Sequence, residues 1–149
     1  MNGWGVEGLK VREVGLVSSV PSANRVWTAV GRMRRFPAFM IYRIAEPDHW
    51  REALRKGEFR SPDLLAEGFI HFSELHQVRG TADRYYKGRG DMLLLKVDDA
   101  ALSVPVVREN TRGGQELFPH VYGPVPLLAV LEVVELPMGP DGRLVFEEP

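Results

Sequence analysis

The spacing of apolar residues predicts a succession of short strands from residue 40 onward. Apolar runs bounded by Gly, Pro, Asp or Asn are typical of buried strands, because the bounding residues favour turns. In the second such run, strict alternation places Phe69 and His71 on one face and Ile70 and Phe72 on the other. The strands are expected at 40–45, 68–73, 91–97, 104–109, 127–136 and 144–146.

Two segments carry apolar residues three or four positions apart, which predicts two amphipathic helices. The first begins at Pro47, which suits the first helical position, and ends at Gly57. The second runs from Glu74 to about Tyr86, with Ser73 as its N-cap. Because strands and helices do not alternate regularly, we predict an α+β domain, with a compact mixed sheet and two main helices packed on it.

The segment at 116–123, E-L-F-P-H-V-Y-G, has the pattern of neither a helix nor an alternating strand. Pro119 restricts the preceding residue to extended conformations, and a Gly-Pro pair after Tyr122 prevents a helix from continuing. We therefore predict a rigid irregular loop that presents Glu116, His120 and Tyr122 to a ligand. The alternative is that its aromatic residues fill the core, with His120 hydrogen-bonded nearby.

Composition narrows the class of protein. A chain of 149 residues with 44% apolar and 26% charged residues is typical of one globular domain. The absence of cysteine excludes disulfides, thiolate metal sites and thiol nucleophiles. A net charge of −1 gives no support to a nucleic-acid partner, and no apolar run is long enough for a membrane helix. The expected location is cytoplasmic.

Residues 1–39 differ from the remainder in charge. They hold six of the 19 Lys and Arg residues but only two of the 20 acidic residues, and they show no strong periodic pattern. A targeting peptide or a nucleic-acid-binding arm has such a composition, although the continuous apolar stretch of a secretory signal is missing. We predict an accessory basic N-terminal tail or upstream extension at 1–39 and a single α+β domain at 40–149.

Several side chains are candidates for chemistry. His71 lies in an otherwise apolar strand, where it is either buried with a partner or turned toward a ligand. Glu109 and Glu116 could stabilise the oxocarbenium-like cation that forms when an N-glycosidic bond is cleaved, and Tyr85 or Tyr86 could stack on a base. Either glutamate could equally be a surface charge at a turn.

A metal site is a further option, because two imidazoles and a carboxylate suit a metal that needs no thiolate ligand. Its ligands would be His71, His120 and Glu116, although no H-x-H or H-x-x-x-H pair marks such a site. The chain has no dinucleotide-binding glycine motif, no P-loop and no G-x-S-x-G serine-hydrolase motif.

A set of local motifs between about Met40 and Pro137 resembles the motifs of a known protein family. The motifs are I-Y-R-I-A, W-R-E-A-L, S-P-D-L-L-A-E-G-F-I-H-F-S, T-A-D-R-Y-Y, M-L-L-L-K-V-D, V-V-R-E-N and E-L-F-P-H-V-Y-G-P-V-P. This region resembles the small bacterial family known as domain of unknown function 952, and G-F-I-H-F-S with F-P-H-V-Y-G is its most specific part. The chain has Glu67 where the family often has Asp, and Arg108 where it often has Trp.

At greater distance the family is similar to the ADP-ribosyltransferase-like superfamily, whose members split the nicotinamide-ribose bond of NAD. The resemblance implies an ADP-ribosyltransferase-like fold and NAD as the cofactor. It places His71 where the adenylate side is held, with Ser73 beside it. It also implies that Tyr85 or Tyr86 stacks on nicotinamide, and that the late acidic residue is Glu109 or Glu116.

The expected function is therefore that of an NAD-binding or ADP-ribosyl-transferring domain with a small nucleotide as its ligand. The alternatives are a non-catalytic ligand- or partner-binding module, and a metal-binding protein that uses the ligands named above. The acceptor substrate, the occurrence of turnover and the oligomeric state are left open. The expected catalytic residues are Glu109, Glu116 and His120, and the expected ligand-binding residues are His71, Ser73, Tyr85, Tyr86 and Tyr122.

Overall fold

The computed structural model describes residues 25–27, 33–35 and 39–147. Its helices are α1 (Pro47–Lys56), α2 (Pro62–Glu67) and α3 (Val78–Tyr85), with short 3₁₀ helices at Leu75–Gln77, Asp99–Ala101 and Leu127–Ala129. Its strands are β1 (Arg25–Trp27), β2 (Met33–Arg35), β3 (Met40–Ala45), β4 (Glu58–Phe59), β5 (Ile70–His71), β6 (Met92–Asp98), β7 (Val106–Glu109), β8 (Phe118–Val121), β9 (Val125–Pro126) and β10 (Val130–Leu136).

The described strands form several small antiparallel sheets. The central sheet has the order β10-β6-β3, and a second sheet, which we call the site sheet, has the order β5-β8-β7. Two further pairs are β4 with β9 and β1 with β2. A reciprocal pair of backbone hydrogen bonds between Tyr42 and Ser73, both 2.8 Å long, joins β3 to the chain after β5. The α+β class is confirmed, but the expected single mixed sheet is wrong.

Both faces of the central sheet are buried. On one face, strands β3 and β6 pack against Trp50 of α1 and against Phe59, both fully buried. On the other face, the same strands pack against Val78 and Ala82 of α3. A sheet covered on both faces needs apolar residues at successive positions. That requirement explains the unbroken run Met92–Leu95, whose side chains are all buried.

The ends of α1 follow from its sequence. Pro47 occupies the first turn, and Gly57 ends the helix in the left-handed conformation with φ +87°. The Gly57 N–H donates to the Ala53 carbonyl at 2.8 Å, which satisfies one of the last carbonyls of the helix. Both predicted ends of this helix are confirmed.

The second predicted helix differs in its first turn. It begins as the 3₁₀ helix Leu75–Gln77 and continues as α3. Its N-cap is Glu74 and not Ser73, because Glu74 and Gln77 form a reciprocal capping box. The backbone of Ser73 pairs with Tyr42, and its hydroxyl lies 3.1 Å from the hydroxyl of Thr81.

Strand β8 corrects the prediction for residues 116–123. Phe118–Val121 is the middle strand of the site sheet, because β5 and β7 supply partners on both sides. Pro119 is tolerated there by its position in the ladder. Its carbonyl accepts from the Phe72 N–H at 2.9 Å, but proline has no N–H to return. The β5 ladder therefore ends at His71.

Other predicted boundaries move by a few residues. The strand predicted at 68–73 is limited to β5, and the one predicted at 127–136 begins only at Val130, after a 3₁₀ turn. The last predicted strand is reduced to a single bridge between Met138 and Leu144. Strand β7 lies at the edge of the site sheet, as Pro105 predicted.

Most of the predicted accessory segment at 1–39 lies outside the described residues. Within it, β1 and β2 pair through Arg25 with Arg35 and Trp27 with Met33. Its role as a tail or extension stays a prediction. Across the described parts of the chain, no helix has the length and apolar character needed to cross a membrane.

Candidate functional site

A cleft of about 700 Å³ opens between the site sheet, α2, α3, β3 and the loop that joins β7 to β8. Seven of the eight predicted site residues line it, although they are spread over fifty positions of the chain. Tyr122 does not line the cleft, but its hydroxyl contacts a residue that does. The lining residues among those predicted are His71, Ser73, Tyr85, Tyr86, Glu109, Glu116 and His120.

The alternation of the site sheet explains why these side chains meet. His71 of β5 lies opposite His120 of β8, and Glu109 of β7 lies opposite Phe118 of β8. Because side chains alternate across a strand, these residues share the face toward the cleft. The neighbours Ile70 and Val121 point into the core and are fully buried. The predicted division of 69–72 between two faces is confirmed.

His120 is held on three sides. Its Nδ1 lies 3.0 Å from Oε1 of Glu109, and its ring stacks on Phe69 with centroids 4.2 Å apart. The edge of the His71 ring is in contact with it, at a centroid distance of 4.9 Å. His120 is only 2% exposed. Its position therefore depends on the packing of Phe69 and on the hydrogen bond to Glu109.

The surroundings of Glu109 favour the ionised form of its carboxyl group. The hydroxyl of Tyr122 and Nδ1 of His120 both contact its Oε1. These two hydrogen bonds, that of Tyr122 first, lower the pKa of the Glu109 carboxyl below its usual range. The same hydrogen bond raises the pKa of the Tyr122 phenol. The site thus contains a carboxylate whose orientation is fixed by two neighbours.

Glu116, the other candidate acid, is placed differently. Its Oε2 accepts a hydrogen bond of 3.0 Å from Nε2 of Gln77, at the start of the α3 segment. The loop before it is organised by Asn110, whose Oδ1 accepts from the backbone N–H groups of Arg112 and Gly114. Glu116 therefore fixes the loop to the helix, whereas Glu109 is the glutamate that contacts His120.

His71 is held by both its backbone and its side chain. Its N–H donates to Oδ2 of Asp63 at 2.9 Å, and its carbonyl accepts from Nη1 of Arg43 at 2.9 Å. Its Nε2 lies 3.2 Å from both carboxylate oxygens of Glu67 and 3.5 Å from Nη2 of Arg112. Burial lowers the pKa of the His71 imidazole below its ordinary value, against the opposing effect of Glu67.

The lowered pKa of His71 predicts a pH-dependent stability. Because the folded state binds the His71 proton less readily than the unfolded state, stability should fall as pH decreases through about 6.5, the ordinary histidine pKa. Between about pH 7.5 and about pH 5.5, the free energy of unfolding should therefore decrease less in His71→Gln than in wild type. Urea unfolding measures this free energy. The matched control is His76→Gln, an exposed histidine outside the cleft. An identical pH dependence in wild type and His71→Gln would contradict the prediction.

Arginine and tyrosine side chains also line the cleft. The guanidinium of Arg89 lies over the Tyr86 ring at 5.2 Å, and that of Arg112 lies over the Tyr85 ring at 5.7 Å. Arg84 also lines the cleft, 5.9 Å from the Tyr85 ring. Tyr85 is 44% exposed, so its ring is accessible to a ligand. Hydrophobic faces beside positive charge suit a ligand that combines a ring with phosphate groups.

Ser73 and the two residues at the cleft floor complete the site. The Ser73 hydroxyl lies 3.1 Å from the Thr81 hydroxyl of α3. Arg43 and Asp63 form an ion pair of 2.8 Å beneath His71 and were not predicted as site residues. A charged residue inside the apolar strand I-Y-R-I was nevertheless a usable signal, because a buried charge needs a partner.

The geometry does not favour the metal alternative. Within residues 25–27, 33–35 and 39–147, no group of three His, Asp or Glu side chains is placed to share one ion. Of the proposed ligands, His71 and His120 contact each other, whereas Glu116 is hydrogen-bonded to Gln77.

Similarity to known proteins agrees with the motifs of the cleft. The sequence profile of the family described as protein of unknown function (DUF952) matches residues 44–133, which is more than half of the chain. The chain belongs to the DUF952 family. The match includes both strands that bring His71 and His120 together, and it covers all of the cleft lining except Tyr42 and Arg43.

Solved structures of one other protein are also similar. The crystal structure of protein CC0527 from Caulobacter crescentus is 34% identical, with a TM-score of 0.65, over 71% of this chain and 93% of that chain. The solution NMR structure of CC0527 is 34% identical, with a TM-score of 0.62, over 70% and 90%. No curated protein matches this chain significantly. The ADP-ribosyltransferase-like relationship stays a prediction.

Proposed function

We propose that the cleft binds an ADP-ribosyl ligand such as NAD, and that Glu109 supports cleavage of the nicotinamide-ribose bond. The observation that carries this proposal is the arrangement of opposite charges within one cleft. A carboxylate fixed by two hydrogen bonds lies on the site sheet, and three arginines with two tyrosines line the same cleft.

The arginine and tyrosine side chains of the cleft support the binding half of the proposal. Guanidinium groups pair well with phosphate oxygens, and tyrosine rings pack against a base or a nicotinamide. Arg84, Arg89 and Arg112 would meet the diphosphate, and the exposed face of Tyr85 would meet a ring. A cleft of about 700 Å³ is within the usual range for small-molecule sites.

The position of Glu109 supports the catalytic half. When the bond between C1′ of the ribose and the nicotinamide nitrogen breaks, its electron pair leaves with nicotinamide as a neutral ring. The positive charge left on the ribose is stabilised by a nearby carboxylate. An acceptor oxygen or nitrogen then bonds to C1′ and releases its proton to water. Glu109 is suited to stabilise this positive charge, because its two hydrogen bonds favour the ionised form of the carboxyl group.

Ligand-induced stabilisation tests the binding half. Addition of about 1 mM NAD or ADP-ribose should raise the melting temperature of the wild-type protein by about 3–6 °C if the ligand is at about tenfold its Kd. His71→Ala should remove the shift, because the imidazole lies in the cleft. His76→Gln serves as the control and should retain it. An unchanged wild-type melting curve would contradict the proposal.

A non-catalytic ligand-binding module is the second candidate. It is favoured by the fact that both candidate acids are already hydrogen-bonded, Glu109 to His120 and Tyr122, and Glu116 to Gln77. Chromatography of the products separates the two functions. A melting shift without release of nicotinamide over hours would identify a binding module, whereas nicotinamide release would identify an enzyme.

A further inference from the structure

We propose that Arg43 and Asp63 are positioning residues that fix the His71 imidazole in the cleft by bonding to the backbone at the outer edge of β5, where no strand ladder does so. The inference rests on the proposed function where it concerns ligand binding, but the geometry of the pair is independent of it. The pair acts through its hydrogen bonds to the backbone of His71.

Strand β5 has a partner on one side only. It is the first strand in the order β5-β8-β7, and among the described residues no ladder forms on its other edge, because the backbone of β3 is bonded to this segment only at Ser73. In an antiparallel pair the N–H and C=O of one residue point to the same side. The N–H and C=O of His71 both point away from β8. The N–H donates to Asp63, and the carbonyl accepts from Arg43. A carboxylate and a guanidinium thus supply the acceptor and the donor that a neighbouring strand would supply.

This arrangement also explains the close approach of the two histidines. Since the backbone groups of His71 do not bond to His120, the two residues form a non-hydrogen-bonded antiparallel pair. Side chains are closest in such pairs. The ring centroids of His71 and His120 are accordingly 4.9 Å apart, with their planes nearly perpendicular.

The hydrogen bonds among Arg43, Asp63 and His71 join three separate elements. Arg43 comes from β3, Asp63 from α2 and His71 from β5. Nη1 of Arg43 lies 2.8 Å from Oδ2 of Asp63, and their side chains are only 10% and 12% exposed. The Ser61 hydroxyl donates to the other carboxylate oxygen of Asp63. Displacement of the His71 backbone would therefore require movement of β3 or of α2.

A role in stability alone does not explain a buried ion pair. The cost of removing two charges from water is often as large as the attraction between them, so apolar residues of similar volume commonly replace such pairs without loss. What apolar residues could not replace here is the pair of hydrogen bonds to the His71 backbone. The positioning role predicts that a folded variant without the charges loses the orientation of His71.

The test uses the double variant Arg43→Met/Asp63→Leu in the full chain. We expect it to fold, to lose the nuclear Overhauser effect between the His71 and His120 rings, and to bind ADP-ribose at least about tenfold more weakly than wild type. The control is Arg55→Met/Glu52→Gln, which removes an exposed ion pair on α1. It should retain the ring contact and the affinity.

Each other outcome is decisive. A folded double variant that keeps the ring contact, or that loses it without a change in affinity, would overturn the proposal. If the double variant does not fold, Asp63→Asn takes its place, because it keeps the shape and one acceptor. Failure of both to fold would show that the pair is only structural. If wild type does not bind ADP-ribose, the proposed function fails, and the ring contact still decides the positioning role.

Discussion

Replacement of Glu109 by Gln is expected to lower the rate of nicotinamide release from NAD by about 10²–10³-fold, which is the usual cost of losing one preorganised electrostatic group. The amide retains the shape of the side chain and can still accept from Tyr122 or His120, so the fold should be unaffected. What it lacks is the negative charge that faces the developing cation. The rate is measured by chromatography of nicotinamide at saturating NAD.

The matched control for this substitution is Glu116→Gln. Glu116 also lines the cleft but is bonded to Gln77, which an amide can replace. We expect its rate to stay within about threefold of wild type, equivalent to less than about 1 kcal/mol in the barrier. Equal losses in the two variants would contradict the assignment of Glu109, and a loss in Glu116→Gln alone would reverse it.

Asp63→Ala is expected to be the most destabilising of the substitutions considered, by about 3–5 kcal/mol. It leaves the charge of Arg43 without its partner at a position that is only 9% exposed, and it leaves the His71 N–H without an acceptor. Urea unfolding at neutral pH measures the change in the free energy of unfolding. For a chain of this length the melting temperature should fall by roughly 6–20 °C.

Two comparisons define the origin of that loss. Asp48→Ala removes an exposed carboxylate from the first turn of α1 and should cost less than about 1 kcal/mol. Arg43→Met/Asp63→Leu should be more stable than Asp63→Ala, because no charge is left uncompensated. If Asp63→Ala unfolds with the same midpoint as Asp48→Ala, the buried pair does not contribute to stability.

Local signals in the sequence located most of the candidate site. The alternation in G-F-I-H-F-S predicts that His71 lies on the other face of the strand from the core residues Ile70 and Phe72, and the structure confirms that division. The residue types of F-P-H-V-Y-G drew attention to His120. Both arguments depend on the fixed geometry of one strand, so no knowledge of distant parts of the chain was needed.

The conformation of residues 116–123 shows where local signals fail. Pro119 and the Gly-Pro pair after Tyr122 have strong local preferences, and those preferences indicated an irregular loop. The segment became the middle strand β8 because β5 and β7 offer partners on both sides. Sheet pairing outweighs local preference when partners are available, and Pro119 is accommodated where the β5 ladder ends.

The sequence by itself determined the α+β class, the two ends of α1, the division of residues 69–72 between two faces and the DUF952 family. These properties follow from periodicity, turn residues and local motifs. The tertiary structure alone decided that Glu109 and not Glu116 contacts His120, and that Arg43 and Asp63 hold the His71 backbone. The physical reason is that the partners come from separate strands and helices, whose register is set only when the sheets and the core form together.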